Sequence, residues 1–253
     1  MRLQKQQYNR AQSRYAQDLS FTEAAKRFPD RTDLYRYMHH YFHNLAPKPL
    51  RDHRDWFSRE SRGFGEDAFH AMWFTLLREF RPRRCLEIGI YRGQTISLWA
   101  LISQLVGFEC ELYGISPFSS SGDADSKYSE KLDYLADTQA SFRKFSTKTP
   151  HFLKAYSTDA VARDFIASQG WDLIYIDGSH DYEVVLSDYQ LCRDHLAPGG
   201  LLIMDDSSLY TDYRPPMFGF SGHVGPSRVF RDFATTELTF LGGVGHDNVL
   251  RKA

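Results

Sequence analysis

The chain is short of three things that would narrow its class: cysteine, charge of one sign and long apolar runs. Its three cysteines, Cys85, Cys110 and Cys192, are odd in number and lack metal-ligand spacing, so they read as reduced thiols of a cytoplasmic protein rather than a disulfide framework or a zinc site. With 31 basic and 32 acidic residues the formal net charge is -1, which leaves no overall field to draw nucleic acid or an anionic membrane. The most apolar stretch, Ile96 to Phe108, is broken by Ser97, Ser103, Gln104 and Gly107, and the first residues carry no hydrophobic signal core. Neither an internal repeat nor a low-complexity tract is visible.

What is present is length for one substantial core, 253 residues, and an aromatic content of 15%. Many aromatics fall in the first eighty residues and after Leu209, where they suit a cleft or a subunit contact, so a homo-oligomer and a small-molecule partner are expected.

Residues 1–63 read as a helical N-terminal extension, with Thr22 and Glu23 near one helix start and Thr32-Asp33 opening the run Leu34 to Leu45. Residues 64–253 read as an α/β, Rossmann-like doubly wound domain. Phe69, Met72, Trp73, Leu76, Leu77 and Phe80 recur at helical spacing before Pro82. Five short apolar runs follow, Cys85 to Ile90, Glu111 to Ser116, His151 to Tyr156, Trp171 to Asp177 and Gly200 to Asp205, alternating with helical patterns. That alternation predicts five parallel strands joined by right-handed crossovers. Glu237 to Leu241 and Asn248 to Lys252 predict a C-terminal antiparallel hairpin on the sheet edge.

The first strand runs into Glu87-Ile88-Gly89-Ile90-Tyr91-Arg92-Gly93-Gln94-Thr95 and then a helix, the place where an open α/β sheet takes a nucleotide-like ligand. The spacing is G-x-x-x-G, not the G-x-G-x-x-G of a dinucleotide site. An acid beside such a turn repels a pyrophosphate but attracts the ammonium of a methionyl group, whose carboxylate the turn's N–H groups can take. Glu87, Gly89, Tyr91, Gly93 and Thr95 are therefore cofactor candidates. At the end of the second strand, where an acid commonly grips a ribose, this chain has Ser116; Asp123 or Asp125 in the next loop is expected to help. Ser157, after the third strand, completes the set.

Asp177-Gly178-Ser179-His180-Asp181-Tyr182 ends the fourth strand and Asp205-Asp206-Ser207 the fifth. If the strands are neighbours, Asp177, Asp205 and Asp206 converge, and a hard divalent cation such as Mg²⁺ relieves their repulsion. His180, three residues after Asp177, is placed as a general base, with Asp177 beside it. Asp188 and Asp194 on the following helix read as solvated charges, and His39, His40 and His43 as a solvated or interface face. The loop holding Tyr210, Asp212, Tyr213, Arg214, Phe218, Phe220 and His223 is expected to fold over a polar, ring-shaped acceptor, with the stretch Glu60 to Gly63 as a further cover.

Leu86-Glu87-Ile88-Gly89 with Gly93, Asp177 to Tyr182, and Leu196-Ala197-Pro198-Gly199-Gly200 running into Asp205-Asp206 together resemble class I S-adenosylmethionine-dependent methyltransferases of the macrocin O-methyltransferase and cephalosporin-hydroxylase-like type. The resemblance covers roughly Gly65 to the C-terminus. It implies S-adenosylmethionine and Mg²⁺ as cofactors, Asp177, Asp205 and Asp206 as metal ligands, His180 as base, and a hydroxyl of a sugar or glycosylated small molecule as acceptor. Ser116 departs from the family's acidic pattern. A catechol-type acceptor and a non-catalytic, methyltransferase-like partner subunit are the competing readings. An NAD-dependent oxidoreductase is disfavoured by the glycine spacing.

Overall fold

The computed structural model describes residues 12–120 and 131–253. Seven strands form one sheet: β1 (Arg84–Ile88), β2 (Glu111–Ser116), β3 (His151–Lys154), β4 (Trp171–Ile176), β5 (Leu196–Met204), β6 (Thr239–Val244) and β7 (Asp247–Arg251). Their order is β3-β2-β1-β4-β5-β7-β6; β1 to β5 are parallel, and β7 runs antiparallel to both β5 and β6. The strand order reverses between β1 and β4, and that switch point opens a crevice at the strands' C-terminal ends.

Period-two alternation splits the buried residues between the two faces. Leu86, Ile88, Ile174, Ile176, Leu202 and Met204 meet one core, whereas Cys85, Leu173, Tyr175, Leu201 and Ile203 meet the other. The first core includes residues of α7 (Ala160–Ala167), α8 (Tyr182–His195) and α9 (Val224–Val229). The second includes residues of α4 (Asp67–Phe80), α5 (Gln94–Val106) and α6 (Tyr134–Phe145), and of the preceding helices α1 (Phe21–Arg27), α2 (Arg31–Asn44) and α3 (Lys48–Ser58).

The extension is therefore built into the sheet's own core. Ser20 and Glu23 close a capping box at the start of α1, and the Asp30 carboxylate accepts from the Asp33 N–H to start α2, so both helices begin two residues earlier than the threonines suggest. Phe21, Ala25 and Leu34 then fit the space left by the missing side chain of Gly242 in β6. Arg31, buried, donates to Asn248 Oδ1 and to Ser208 Oγ, reaching directly beneath the end of β5. Burial pulls its guanidinium down to about 10. Among the described residues no helix is long and apolar enough to cross a membrane.

The three histidines of α2 are not solvated: His39 and His40 are buried, and His43 Nε2 lies 3.0 Å from Asp67 Oδ2. An acidic partner does accompany them, since ligand atoms of His39, His43 and Asp67 lie within 4.8 Å of one another. The Arg54 guanidinium, 3.0 Å from Asp67 Oδ1, already supplies that carboxylate with a cation.

A second histidine pair ties the extension to the glycine turn. His53 Nδ1 lies 3.1 Å from His70 Nε2, His53 Nε2 lies 3.0 Å from Ser97 Oγ, and that hydroxyl donates to Gly93 O at 2.6 Å. Burial, reinforced by Arg54, pulls His70 down to about 3, and burial pulls His53 well below its ordinary value. Both rings are neutral in the fold, while the unfolded chain takes up their protons near pH 6.5. Stability is expected to fall as pH drops from about 6.5 toward 3, by about 1.4 kcal/mol per pH unit for His70 alone. Urea unfolding midpoints across that range check this, and His70→Gln is expected to flatten the slope.

Candidate active site

β1 stops at Ile88 because the next residue, Gly89, turns the chain at φ +91. Its N–H donates to Ile115 O at 2.9 Å, while the Asp177 N–H donates to Ile88 O at 2.8 Å, which pins the turn to the ends of β2 and β4. A Cβ at Gly89 would lie 1.9 Å from the Asp177 carbonyl oxygen. Gly89→Ala is expected to lower the unfolding free energy by roughly 3 kcal/mol or more, from the positive φ and the displaced β4 end together. Loss of nucleoside binding alongside a lower urea midpoint is the measurement. Gly93, at φ +81, caps α5 and packs against Thr138 of α6; it does not line the cleft.

Glu87 is only 3% exposed. Its carboxyl accepts from the Ile96 N–H at the start of α5, and among the described residues Glu87 Oε2 has no hydrogen-bond partner. Burial and the nearby Asp205 push its carboxyl well above the usual carboxylate range. A buried acid with an orphaned oxygen at the head of a cleft is a socket for a cationic or N–H donating group.

That cleft, about 940 Å³, is lined by Glu87, Gly89, Tyr91, Thr95, Ser116, Ser157, Asp177, His180, Asp205 and Asp206, every described candidate except Gly93. Asp123 and Asp125 lie outside the described residues. Ser116 directs its hydroxyl at Ile90 O, 3.0 Å away, so it braces the turn. Tyr91 stands between Phe64 and Tyr134, ring centroids 4.9 and 5.6 Å away. Ser157 Oγ donates to Asp188 Oδ2 at 2.7 Å. Asp188 is 1% exposed, not solvated, and burial pushes it up to about 6. The helical period of α8 turns it inward, where it fixes Ser157.

In the same cleft, at the ends of β4 and β5, ligand atoms of Asp205, Asp206 and His246 lie within 4.8 Å of one another, as do those of His180, Asp206 and His223, and Asp177 adjoins them beside Asp205. The Asp205 N–H donates to Ile176 O at 3.1 Å, carrying the pairing of β4 and β5 beyond the strands and setting Asp177 beside Asp205. Asp206 follows in the left-handed region at φ 51, a conformation kept at some cost to aim its carboxylate back. Its carbonyl accepts from the His223 N–H at 2.8 Å and Ser227 Oγ at 3.1 Å. Burial, Asp205 and Asp206 push Asp177 well above the usual range. Asp205 stays below it against its burial, because His246 and the neighbouring Asp177 favour its charge.

Imidazoles rim this centre. His180 Nε2 lies 3.0 Å and His223 Nε2 3.8 Å from Asp206 Oδ2, their rings stacked at 3.7 Å. His246 Nε2 lies 3.3 Å from Asp205 Oδ1. Against its burial, Asp205 and Asp206 raise the His246 imidazole above its ordinary value. Sequence reasoning missed His246 and Asp247; the available signal was a Gly-His-Asp turn inside the predicted hairpin. Closely packed, buried carboxylate oxygens suit a hard divalent cation, and Asp247, whose two buried oxygens lack hydrogen-bond partners, shows that the described residues do not satisfy the cluster among themselves.

The loop after β5 divides in two. Phe218, Phe220 and His223 line the cleft, joined from the extension by Arg54, Arg62 and Gly63. Tyr213 instead is buried against Tyr35, Asp212 lies 3.5 Å from Arg31, and the Arg214 N–H donates to Thr32 Oγ1, so that half fastens the loop to α2. Tyr210 stays outside, under Arg231.

A mimivirus protein of uncharacterised function, from Acanthamoeba polyphaga mimivirus, is 28% identical over 131 residues, which are 51% of this chain and 52% of that protein. The chain thus spans about half the length of the curated relative it matches. Among solved structures, the O-methyltransferase TomG of Streptomyces achromogenes, in complex with SAM, is 14% identical with a TM-score of 0.55 over 88% of this chain and 100% of that one. A Bacillus cereus O-methyltransferase in complex with SAH is 13% identical, TM-score 0.56, over 88% and 98%. An SAH-bound Podospora anserina methyltransferase is 14% identical, TM-score 0.55, over 82% and 89%. At such identities the likeness shows the fold, a Rossmann-like methyltransferase fold with its antiparallel C-terminal pair. Residues 86–207, which run from β1 through the Asp205-Asp206 pair and so hold both the glycine turn and the acidic strand ends, match the model of a methyltransferase domain family.

Proposed function

We propose that this chain is an S-adenosylmethionine-dependent, Mg²⁺-dependent O-methyltransferase acting on a hydroxyl of a sugar or glycosylated small molecule. The observation that carries the reading is one cleft that brings together the Glu87 carboxyl, whose Oε2 has no hydrogen-bond partner among the described residues, and the Asp177, Asp205 and Asp206 carboxylates. When bound, S-adenosylmethionine supplies an electrophilic methyl group, and Mg²⁺ supplies the positive charge that favours a deprotonated acceptor hydroxyl.

The chain's own residues do the rest. Glu87 takes the ammonium of the methionyl group, and backbone N–H groups at the start of α5 face its carboxylate. Tyr91, Ser116 and Ser157 line the nucleoside portion. Asp177, Asp205 and Asp206 would hold Mg²⁺. His180, oriented by Asp206, removes the proton from the acceptor hydroxyl. Phe218 and Phe220 offer flat apolar faces to a ring, while Arg54, Glu66 and His223 offer polar groups to its hydroxyls. The resemblance to sugar-directed macrocin-type enzymes supports that acceptor class.

The test is transfer of labelled methyl from S-adenosylmethionine to a panel of nucleotide sugars, glycosides and catechols, with Mg²⁺ and with EDTA. Metal-dependent labelling of a sugar or glycoside is expected. Labelling of catechols alone would move the acceptor class, and transfer persisting in EDTA would remove the metal.

A further inference from the structure

β7 opens on an acid, Asp247, to which the reading above gives no task. β7 is antiparallel to β5 with Asn248 opposite Met204, so residues just before Asn248 stand beside residues just after Met204. Asp247 is thereby set next to Asp205, close enough for each carboxyl to act on the other's charge. Asp247 is 0% exposed, it lines the cleft, and neither of its oxygens finds an N–H or hydroxyl partner among the described residues.

The neighbouring donors are committed elsewhere. Asn248 Nδ2 donates to Ser207 Oγ at 2.6 Å and Ser208 Oγ at 3.1 Å, and its Oδ1 is taken by Arg31. The His246 imidazole is spent on Asp205, Asp206 and the Phe220 carbonyl. A buried carboxyl without donors is costly, and folds keep one where something else satisfies it. Here the neighbouring groups in the cleft are further carboxylates, and a cation is what satisfies several carboxylates at once.

We propose that Asp247 is a fourth carboxylate ligand of the divalent cation, reaching in from the β7 side of Asp205 to a centre otherwise built at the ends of β4 and β5. The inference rests on the metal-dependent reading above and extends it to a residue outside the 86–207 family match. Its consequence is tighter, oxygen-only binding than three carboxylates give, with the start of β7 acting as part of the metal site.

Calorimetric titration of the whole chain with Mn²⁺ alone, without nucleoside, tests it. Wild type is expected to bind one ion, Asp247→Asn to bind at least about tenfold more weakly, and Asp181→Asn, a swap of one good helix cap for another, to match wild type. Equal Mn²⁺ affinity in wild type and Asp247→Asn would overturn the assignment of Asp247 while leaving the metal reading intact. No Mn²⁺ uptake by wild type would overturn both. Should Asp247→Asn not fold, a crystal structure of wild type with Mn²⁺ decides: an ion about 2.1 Å from an Asp247 oxygen supports the proposal, and an ion with Asp247 outside its coordination shell overturns it.

Discussion

Replacing His180 by alanine is expected to lower kcat by about 10²- to 10⁴-fold, the range that a positioned general base contributes, while leaving S-adenosylhomocysteine affinity unchanged. The asymmetry follows from placement. His180 Nε2 lies 3.0 Å from Asp206 Oδ2, beside the acidic strand ends, whereas the methionyl contacts are assigned to Glu87 and the glycine turn. Steady-state kinetics and calorimetry separate the two effects. A variant that keeps more than about a tenth of wild-type kcat would take the base role from His180, and His223, stacked on it at 3.7 Å, would be the next residue to examine.

The second large effect concerns Asp205, the hub between Asp177 and Asp247 that faces His246. Asp205→Asn keeps the shape and removes the charge. A metal's charge supplies several kcal/mol of transition-state stabilisation; at one decade per about 1.4 kcal/mol, activity is expected to fall by about 10³-fold. The apo-protein is expected to be no less stable than wild type, because a negative charge leaves a crowded, buried cluster. Thermal melts in EDTA, run beside the assay, check both halves. A variant that loses activity only by unfolding would show Asp205 to be a structural residue.

Much of this site was legible in the sequence because it lies at strand ends. Strand alternation places Asp177 and Asp205-Asp206 at the C-terminal ends of β4 and β5, and parallel pairing brings those ends together. The same logic gave Glu87 and Gly89. His246 and Asp247 were harder to see because their placement depends on the antiparallel register of β7 on β5, which fixes a contact across more than forty residues and leaves no local spacing. Asp188 looked like a surface charge because a single acid within a polar helix says little about which side faces the sheet. Residues 1–63 read as a helical extension because their pattern is polar and helical; the buried side chains that join them to the sheet, such as Arg31 under Asn248 and Leu34 against Gly242, are distributed singly and leave no local signal.

The cleft at the β1–β4 switch point is assigned above to S-adenosylmethionine. Isothermal titration of the purified chain with S-adenosylhomocysteine, and in parallel with NAD, each in Mg²⁺ and in EDTA, tests it most directly. One S-adenosylhomocysteine per chain and no NAD binding is the predicted result. Absence of S-adenosylhomocysteine binding in both conditions, or binding of NAD in its place, would contradict the account.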